Sequence, residues 1–345
     1  MWNYAECRAR LTAQPKTWLV TGAAGFIGSN LVEALLHLGQ RVIGLDNFLT
    51  GHRENLDQVR QLVAEDKWAR FELVHADVRD IRACQQSCVG ADYVLHQAAL
   101  GSVPRSLEDP LLTHEINTTG FLNMMTSARD AGVSRFVYAS SSAVYGDHPA
   151  SPKVEEVIGK PISPYAASKR INEEYAQVFA HCWGMQNIGL RYFNVFGRRQ
   201  DGEGAYAAVI PLWVSSMICN EPIHIHGDGE TTRDFCYVDN VVQANLLAAT
   251  VPWQGSLDEV FNVALGEQTS LKQLFEALYA GLAPRFPHLE GLRPIHDEPR
   301  AGDVRHSLAD VSKAKRLLGY VPSHSFAQGL AQAHDWYVDK LGTRS

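Results

Sequence analysis

The sequence predicts an α/β protein with a doubly wound parallel sheet of the Rossmann type, followed by a smaller α/β lobe. Two observations carry this prediction. An apolar run at residues 17–22 leads into glycines spaced three apart, and apolar residues at helical spacing follow. Strand-like and helix-like segments then alternate to about residue 193, which is typical of a parallel sheet with right-handed crossovers.

The turn after the first strand contains Gly22, Gly25 and Gly28. Gly22 allows a sharp turn, Gly25 lets the backbone approach a pyrophosphate, and Gly28 lets the following helix pack on the sheet. The free N–H groups and positive dipole end of that helix then face the phosphates. The spacing Gly-x-x-Gly-x-x-Gly makes this turn one residue longer than in the commonest dehydrogenases. We predict a dinucleotide site here.

An acidic residue at the end of the second strand distinguishes between the two nicotinamide dinucleotides. Asp46 lies 18 residues after Gly28, near the ~20 expected. A carboxylate at this place accepts hydrogen bonds from the ribose hydroxyls and repels a 2′-phosphate. No basic residue follows before His52 and Arg53. We therefore predict NAD rather than NADP.

The remaining elements follow from periodicity and turn residues. Strands of the sheet are expected at 17–22, 41–47, 71–77, 92–98, 135–141 and 187–193. Later short strands are expected at 223–226, 259–263 and 293–297, with helices at 239–250, 270–282, 310–318 and 326–341. We divide the chain into an N-terminal extension (1–16), an NAD-binding domain (17–197) and a nucleotide-sugar lobe (198–345), the last two exchanging short segments.

Ligands of such folds bind at the carboxyl ends of the strands, where the lobes meet. Small side chains after the fourth strand let the backbone lie against the cofactor. Besides the three glycines and Asp46, the predicted cofactor contacts are Phe26, Ile27, Asn47, Asp77, Val78, Gln97, Ala98, Ala99 and Tyr192.

The composition excludes several classes of protein. Hydrophobic residues make up 46% and charged residues 20% of the 345, as in soluble globular proteins. A net charge of −7 without a Lys/Arg cluster argues against nucleic-acid binding. No signal-peptide core and no run of ~20 apolar residues occurs, so we expect a cytoplasmic protein without membrane contact. The six scattered cysteines are expected to be reduced and to bind no metal.

The segment from Ser163 to Lys169 joins a helix start to two reactive side chains. Ser163 suits the N-cap and Pro164 the first turn. Tyr165 and Lys169 are four residues apart and share a helix face. A nearby ammonium and an oxidised nicotinamide favour the phenolate, and lowering its pKa from about 10 towards 7 needs roughly 4 kcal/mol. We predict that Tyr165 is a general base and that Lys169 also holds the ribose.

Together these motifs resemble the extended short-chain dehydrogenase/reductase family and, within it, the UDP-sugar 4-epimerases. The resemblance covers nearly the whole chain. Residues 99–106 and 302–307 are most similar to UDP-N-acetylhexosamine 4-epimerases of bacterial surface-polysaccharide pathways. The motifs that carry it are Gly22/Gly25/Gly28, Asp46, Asp77-Val78, residues 141–146, Tyr165/Lys169, residues 191–197, Arg233-Asp234 and residues 300–303.

The resemblance implies how the site residues divide their roles. Ser141, at the end of the fifth strand, matches the catalytic hydroxyl, and Ser142 lies beside it. Guanidinium groups bind phosphate oxygens bidentately, which suits arginine for the diphosphate. The implied substrate contacts are Asn194, Arg233 and Arg300 for the diphosphate, Asp303 for the uridine ribose, and Gly101, Ser102, Val195 and Ser307. Relatives commonly form homodimers through helices that would lie here at about 106–131 and 164–183.

Two differences from the motifs of related enzymes restrict the reaction that the chain can catalyse and the sugar that it can accept. The 4,6-dehydratases place Asp-Glu after their catalytic hydroxyl, where this chain has Ser142 and Ala143, so dehydration is disfavoured. Epimerases restricted to plain hexoses carry a tyrosine where Ser307 stands and a lysine where Gly101 stands. The smaller Ser307 would leave room for a 2-N-acetyl group.

The resemblance implies inversion of C4 of a UDP-N-acetylhexosamine. Tyr165 takes the proton of the 4-hydroxyl while NAD⁺ accepts the hydride from C4, and Ser141 binds O4. The 4-keto sugar then swings about its diphosphate, and the hydride returns to the other face.

Several alternatives stay open. The sugar is either neutral or the corresponding C6-oxidised uronic acid, whose carboxylate could meet Arg105 or Arg305. The other candidate activities on this fold are a 4,6-dehydratase and a 4-ketoreductase. A non-catalytic NAD-sensing regulator is the alternative from another class, although such proteins tend to lose the tyrosine or the lysine.

Overall fold

The computed structural model describes residues 2–201, 208–252, 258–298 and 305–342. Seven parallel strands form its main sheet: β1 (Thr17–Thr21), β2 (Arg41–Asp46), β3 (Phe71–His75), β4 (Tyr93–His96), β5 (Arg135–Ser141), β6 (Asn187–Tyr192) and β11 (Asp258–Val263). The strand order is β11-β6-β5-β4-β1-β2-β3. The chain therefore reverses its winding direction between β1 and β4, where a doubly wound sheet opens a crevice. The predicted fold class is confirmed.

The last strand of this sheet differs from the prediction. The strand predicted at 259–263 was assigned to the second lobe, but β11 pairs with β6 in parallel over its whole length, with Val263 opposite Tyr192. Since β6 would otherwise be an edge with unpaired backbone groups, β11 completes its hydrogen bonding. The sheet thus takes a strand from the second half of the chain.

The other strands are short and lie in the second half of the chain. They form three pairs: β7 (Val195–Phe196) with β10 (Cys236–Tyr237), β8 (His224–His226) with β13 (Ile295–Asp297), and β9 (Thr232–Arg233) with β12 (Thr269–Ser270).

The helices in the described residues begin with an element that the sequence analysis left as an extension. They are α1 (Tyr4–Ala13), α2 (Phe26–His37), α3 (Arg53–Leu62), α4 (Glu65–Trp68), α5 (Ile81–Cys88), α6 (Val103–Glu108), α7 (Pro110–His114), α8 (Gly120–Asp130), α9 (Pro164–Trp183), α10 (Val209–Ile218), α11 (Val238–Thr250), α12 (Leu271–Leu282), α13 (Ser312–Leu318) and α14 (Phe326–Gly342), with 3₁₀ turns at Ser142–Tyr145 and Pro287–Leu289 and a π-helical turn at Glu115–Thr119. The described helices include none that is long and apolar enough to span a membrane.

Three apolar clusters hold these layers together. Alternate strand residues face opposite sides of the sheet, so Trp18 and Val20 pack with α2 and α11, whereas Leu19 packs with α8 and α9. A third cluster joins α10, α12 and α14 in the second lobe. The cavity between this lobe and the carboxyl ends of the strands is the candidate site.

Candidate active site

A cavity of about 720 Å³ opens at the carboxyl ends of the sheet strands. Parallel strands end at the same edge, so residues far apart in the sequence meet there. The predicted site residues on its wall are Gly22, Gly25, Phe26, Ile27, Gly28, Asp46, Asn47, Asp77, Val78, Gln97, Ala98, Ala99, Gly101, Ser141, Ser142, Tyr165, Lys169, Tyr192, Asn194, Val195, Arg233 and Ser307.

Among the described residues, one predicted site residue, Ser102, is not on this wall. Ser102 is the N-cap of α6, and its hydroxyl accepts a hydrogen bond from Arg105 N at 3.2 Å. Its side chain therefore supports the start of the helix, and the predicted substrate contact stays a prediction. Arg300 and Asp303 lie outside the described residues.

The glycine turn leaves room that side chains would fill. A Cβ on Gly28 would lie 1.9 Å from the Gly22 carbonyl oxygen, and one on Gly22, whose φ is +67°, would lie 2.9 Å from Ala98 N. The N-cap of α2, Gly25, offers no side-chain hydrogen bond, so the first N–H groups of this helix stay available at the cavity. This arrangement fits the pyrophosphate of a dinucleotide.

The carboxylate of Asp46 lies behind the same turn. Its Oδ2 accepts a hydrogen bond from Ala24 N at 2.8 Å, and its Oδ1 accepts one from Phe48 N at 2.7 Å. Each carboxylate oxygen keeps a second lone pair for a ribose hydroxyl. The adjacent Asn47 donates to Asp77 at 2.7 Å, which joins the ends of β2 and β3.

Sequence analysis missed two parts of the wall. Residues 49–51 fold over the glycine turn, where His52 N and Asn55 Nδ2 donate to the Ala24 carbonyl at 3.0 and 2.8 Å. Lys153 also lines the cavity, and its backbone pairs with Ala309. No local pattern marks either segment, although their positions after a strand-ending acid and after the Ser141 motif are compatible with site loops.

The chemical groups come from β5 and α9. Ser163 caps α9 by accepting a hydrogen bond from Ala166 N at 3.1 Å, as predicted. The phenol of Tyr165 lies near enough to Ser141 for this serine to lower its pKa, and Ser141 Oγ accepts a hydrogen bond from Ala143 N at 3.1 Å. Lys169 Nζ lies 6.0 Å from the centre of the Tyr165 ring and donates to Ala139 O at 2.8 Å.

The ionisation of Tyr165 differs from the sequence prediction in one respect. Desolvation raises the pKa of this phenol, and Ser141 lowers it only in part. Lys169 bonds a backbone carbonyl rather than the phenol, and burial lowers the pKa of its ammonium to about 8 against the opposing field of Glu173. The groups of the chain alone therefore do not favour the phenolate.

A buried polar network supports these groups from beneath. The Glu173 carboxylate binds Arg191 at two points, Oε1 to Nε at 2.9 Å and Oε2 to Nη2 at 2.8 Å, and accepts a hydrogen bond from Ser140 at 2.5 Å. Arg191 in turn donates to the Glu155 carbonyl at 3.0 Å. The network ties α9, β5 and β6 together directly beside Ser141.

Another part of the wall combines Asn194, just after β6, with residues of the second lobe. Asn194 Nδ2 donates to the Asp234 carbonyl at 3.3 Å, and Arg233 Nη1 to the Thr232 carbonyl at 2.9 Å. Ser307 N donates to the same Thr232 carbonyl at 3.2 Å. Backbone contacts to β9 thus bring Ser307 and Arg233 together on one wall.

Comparisons with known proteins agree with this geometry. Residues 18–264 match the model of the NAD dependent epimerase/dehydratase family. A putative UDP-glucose 4-epimerase of Methanocaldococcus jannaschii is 36% identical over 92% of this chain and 97% of its own.

Solved structures are similar over the same extent. A UDP-N-acetylglucosamine 4-epimerase from Methanobrevibacter ruminantium has a TM-score of 0.85 at 34% identity, covering 94% of this chain and 99% of its own. A dTDP-glucose 4,6-dehydratase from Streptomyces venezuelae with NAD bound has a TM-score of 0.82 at 30% identity, covering 95% and 98%. These relatives differ in the sugar that they act on, so the sugar has to be argued from the cavity.

Proposed function

Because the chain belongs to the NAD dependent epimerase/dehydratase family, we propose that it inverts C4 of a UDP-N-acetylhexosamine, or of the corresponding uronic acid. NAD is the cofactor. The glycine turn, the uncapped start of α2 and Asp46 would hold its pyrophosphate and adenosine ribose, and Lys169 the nicotinamide ribose.

The observation that carries the proposal is the placement of Tyr165, Ser141 and Lys169 together on the cavity wall, with Ser141 lowering the pKa of the Tyr165 phenol. Two hydroxyls on the same wall can bind one sugar oxygen, the phenol accepting its proton and Ser141 holding the oxygen in place. NAD⁺ held there would supply a hydride acceptor for C4 and a positive charge that favours the phenolate. Asn194 and Arg233 would hold the diphosphate while the keto sugar turns over between the two transfers.

The acids of the cavity argue against dehydration. On the described part of the wall the carboxylic acids are Asp46 and Asp77, which lie at the ends of β2 and β3 on the adenosine side. Elimination of water needs an acid near the leaving hydroxyl. The positions that carry Asp-Glu in the 4,6-dehydratases are Ser142 and Ala143 in this chain, and both lie on the cavity wall with Tyr165. The cavity thus suits inversion better than elimination.

Product analysis in D₂O tests the proposal. The protein is offered UDP-N-acetylglucosamine and UDP-N-acetylglucosaminuronic acid separately, and NMR follows the C4 configuration. We expect an epimer with no deuterium at C4, because the hydrogen removed from this carbon is returned within the same site. Deuterium at C4, or a 4-keto product with loss of water, would contradict the proposed reaction.

Two small residues support a sugar with a 2-N-acetyl group. Ser307 is half-buried on the wall beside Arg233. At Gly101 an added Cβ would meet nothing within 4 Å, so packing does not require glycine there. Both positions leave space that a larger side chain would take from the substrate.

We predict that Ser307→Tyr changes the choice of sugar. The ratio of kcat/KM for UDP-N-acetylglucosamine to that for UDP-glucose should fall at least ~10-fold, because a pocket that loses room discriminates by size. Steady-state assays of both sugars measure this ratio, with Ser307→Ala as the control that keeps the space. An unchanged ratio in Ser307→Tyr would show that Ser307 does not determine the size of the pocket.

A further inference from the structure

Lys153 is a buried lysine on the cavity wall that the proposed mechanism does not use. Only 6% of the surface of Lys153 is exposed to solvent. Its backbone is held on both sides: Lys153 N donates to Leu308 O at 2.7 Å, and Asp310 N donates to Lys153 O at 2.9 Å. Asn262 Nδ2 also donates to Lys153 O, at 3.0 Å. The position of this lysine is therefore well determined.

The charge of Lys153 has no counter-ion among the described residues. Its Nζ donates to the His148 carbonyl, and no described carboxylate forms an ion pair with it. An ammonium has three hydrogens to donate, so two remain for a ligand. The buried cation Arg191 is paired with Glu173, whereas Lys169, on the same cavity wall, donates to the Ala139 carbonyl. Buried charges are normally compensated, which points to an anion that comes from outside the protein.

The location restricts which anion this can be. Lys153 pairs with the backbone of residues 308–310, directly after Ser307, the residue that the proposed function places beside the sugar. Asp46 and Asp77 line the adenosine side, and Asn194 and Arg233 are the groups expected at the diphosphate. Among the substrates of the proposed function, the remaining anionic group is the C6 carboxylate of the uronic acid.

The two arginines first considered for a carboxylate do not reach this place. Arg305 is exposed and bonded to Asp228 at 2.7 Å, and its side chain is not on the cavity wall. Arg105 is likewise absent from the wall, although it is half-buried on α6. Among the described residues, Lys153 is thus a cation on the cavity wall that has no role in the proposed reaction.

We propose, building on the proposed function, that Lys153 binds the C6 carboxylate of a UDP-N-acetylhexosaminuronic acid and makes the oxidised sugar the preferred substrate. A charge-assisted hydrogen bond in a cavity shielded from water is stronger than one at the surface. Burial lowers the pKa of Lys153, and a carboxylate beside it would restore the charged form.

The experiment compares UDP-N-acetylglucosaminuronic acid with UDP-N-acetylglucosamine on the NAD-loaded protein. Calorimetry gives Kd and steady-state assays give kcat/KM for each sugar. The wild type should prefer the uronic acid in both quantities. In Lys153→Met this preference should fall ~10–100-fold, the range of one hydrogen bond to a charged group. Lys153→Arg should retain part of it. Lys160→Met, an exposed lysine on the same loop, is the matched control and should leave the preference unchanged.

Each outcome decides between the two proposals. A wild type that inverts the neutral sugar as well as the uronic acid, or an unchanged preference in Lys153→Met, overturns the role of Lys153 and leaves the epimerase proposal intact. If the uronic acid binds through Lys153 but neither sugar is turned over, the role of Lys153 is supported and the epimerase proposal is overturned. If Lys153→Met no longer retains NAD or no longer unfolds cooperatively, that variant is not used. The role of Lys153 is then tested by the preference of the wild type for the uronic acid and by how much of this preference Lys153→Arg retains.

Discussion

Tyr165→Phe is expected to lower kcat by ~10²–10⁴, the range that a general base contributes. The substitution removes the oxygen that lies near Ser141 and keeps the ring that forms the cavity wall. Because the glycine turn and Asp46 are untouched, NAD content should stay at the wild-type level. Turnover of the UDP-sugar and the nucleotide released on denaturation measure the two effects separately.

A second tyrosine of the same helix provides the control. Tyr175 is partly buried against the apolar cluster of α8 and does not line the cavity. Tyr175→Phe should therefore retain nearly full kcat. If Tyr165→Phe also turns over at close to the wild-type rate, another group accepts the proton and the assignment of Tyr165 is wrong.

Glu173→Gln should cause the largest loss of stability, about 3–5 kcal/mol in the free energy of unfolding. The Arg191 side chain is 4% exposed, and its guanidinium is bound by both carboxylate oxygens of Glu173. A glutamine offers one oxygen and turns an N–H group towards the remaining donors, so a buried cation is left without its counter-charge. Chemical denaturation of the NAD-loaded protein measures the change.

The next residue in the chain, Glu174, is a control that carries the same charge as Glu173 but is exposed to solvent. Glu174 pairs with Arg170 at 2.9 Å on the exposed face of α9, with 60% of its side chain accessible. Glu174→Gln should cost only about 0–1 kcal/mol, because solvent screens an exposed pair. Similar losses for the two variants would mean that the Glu173–Arg191 pair does not stabilise the fold beyond a surface ion pair.

Predictions from the sequence succeeded where the relevant contact is local. The glycine turn needs only the spacing of Gly22, Gly25 and Gly28, since one strand–turn–helix unit builds it. The helix start at Ser163 and the four-residue step from Tyr165 to Lys169 follow from helix geometry in the same way. These groups and the NAD cofactor were therefore predictable from residue type and order.

The rest of the site depends on pairings between distant segments. Only the folded chain shows that Asp258–Val263 completes the main sheet, and that Lys153 lies against residues 308–310. The ionisation of Tyr165 also depends on how much protein surrounds the phenol, which spacing does not reveal. The sequence by itself determined the glycine turn and the shared helix face of Tyr165 and Lys169, because both are built within single helical or turn units. The tertiary structure decided what surrounds the sugar, because those walls come from loops with no periodic pattern of their own.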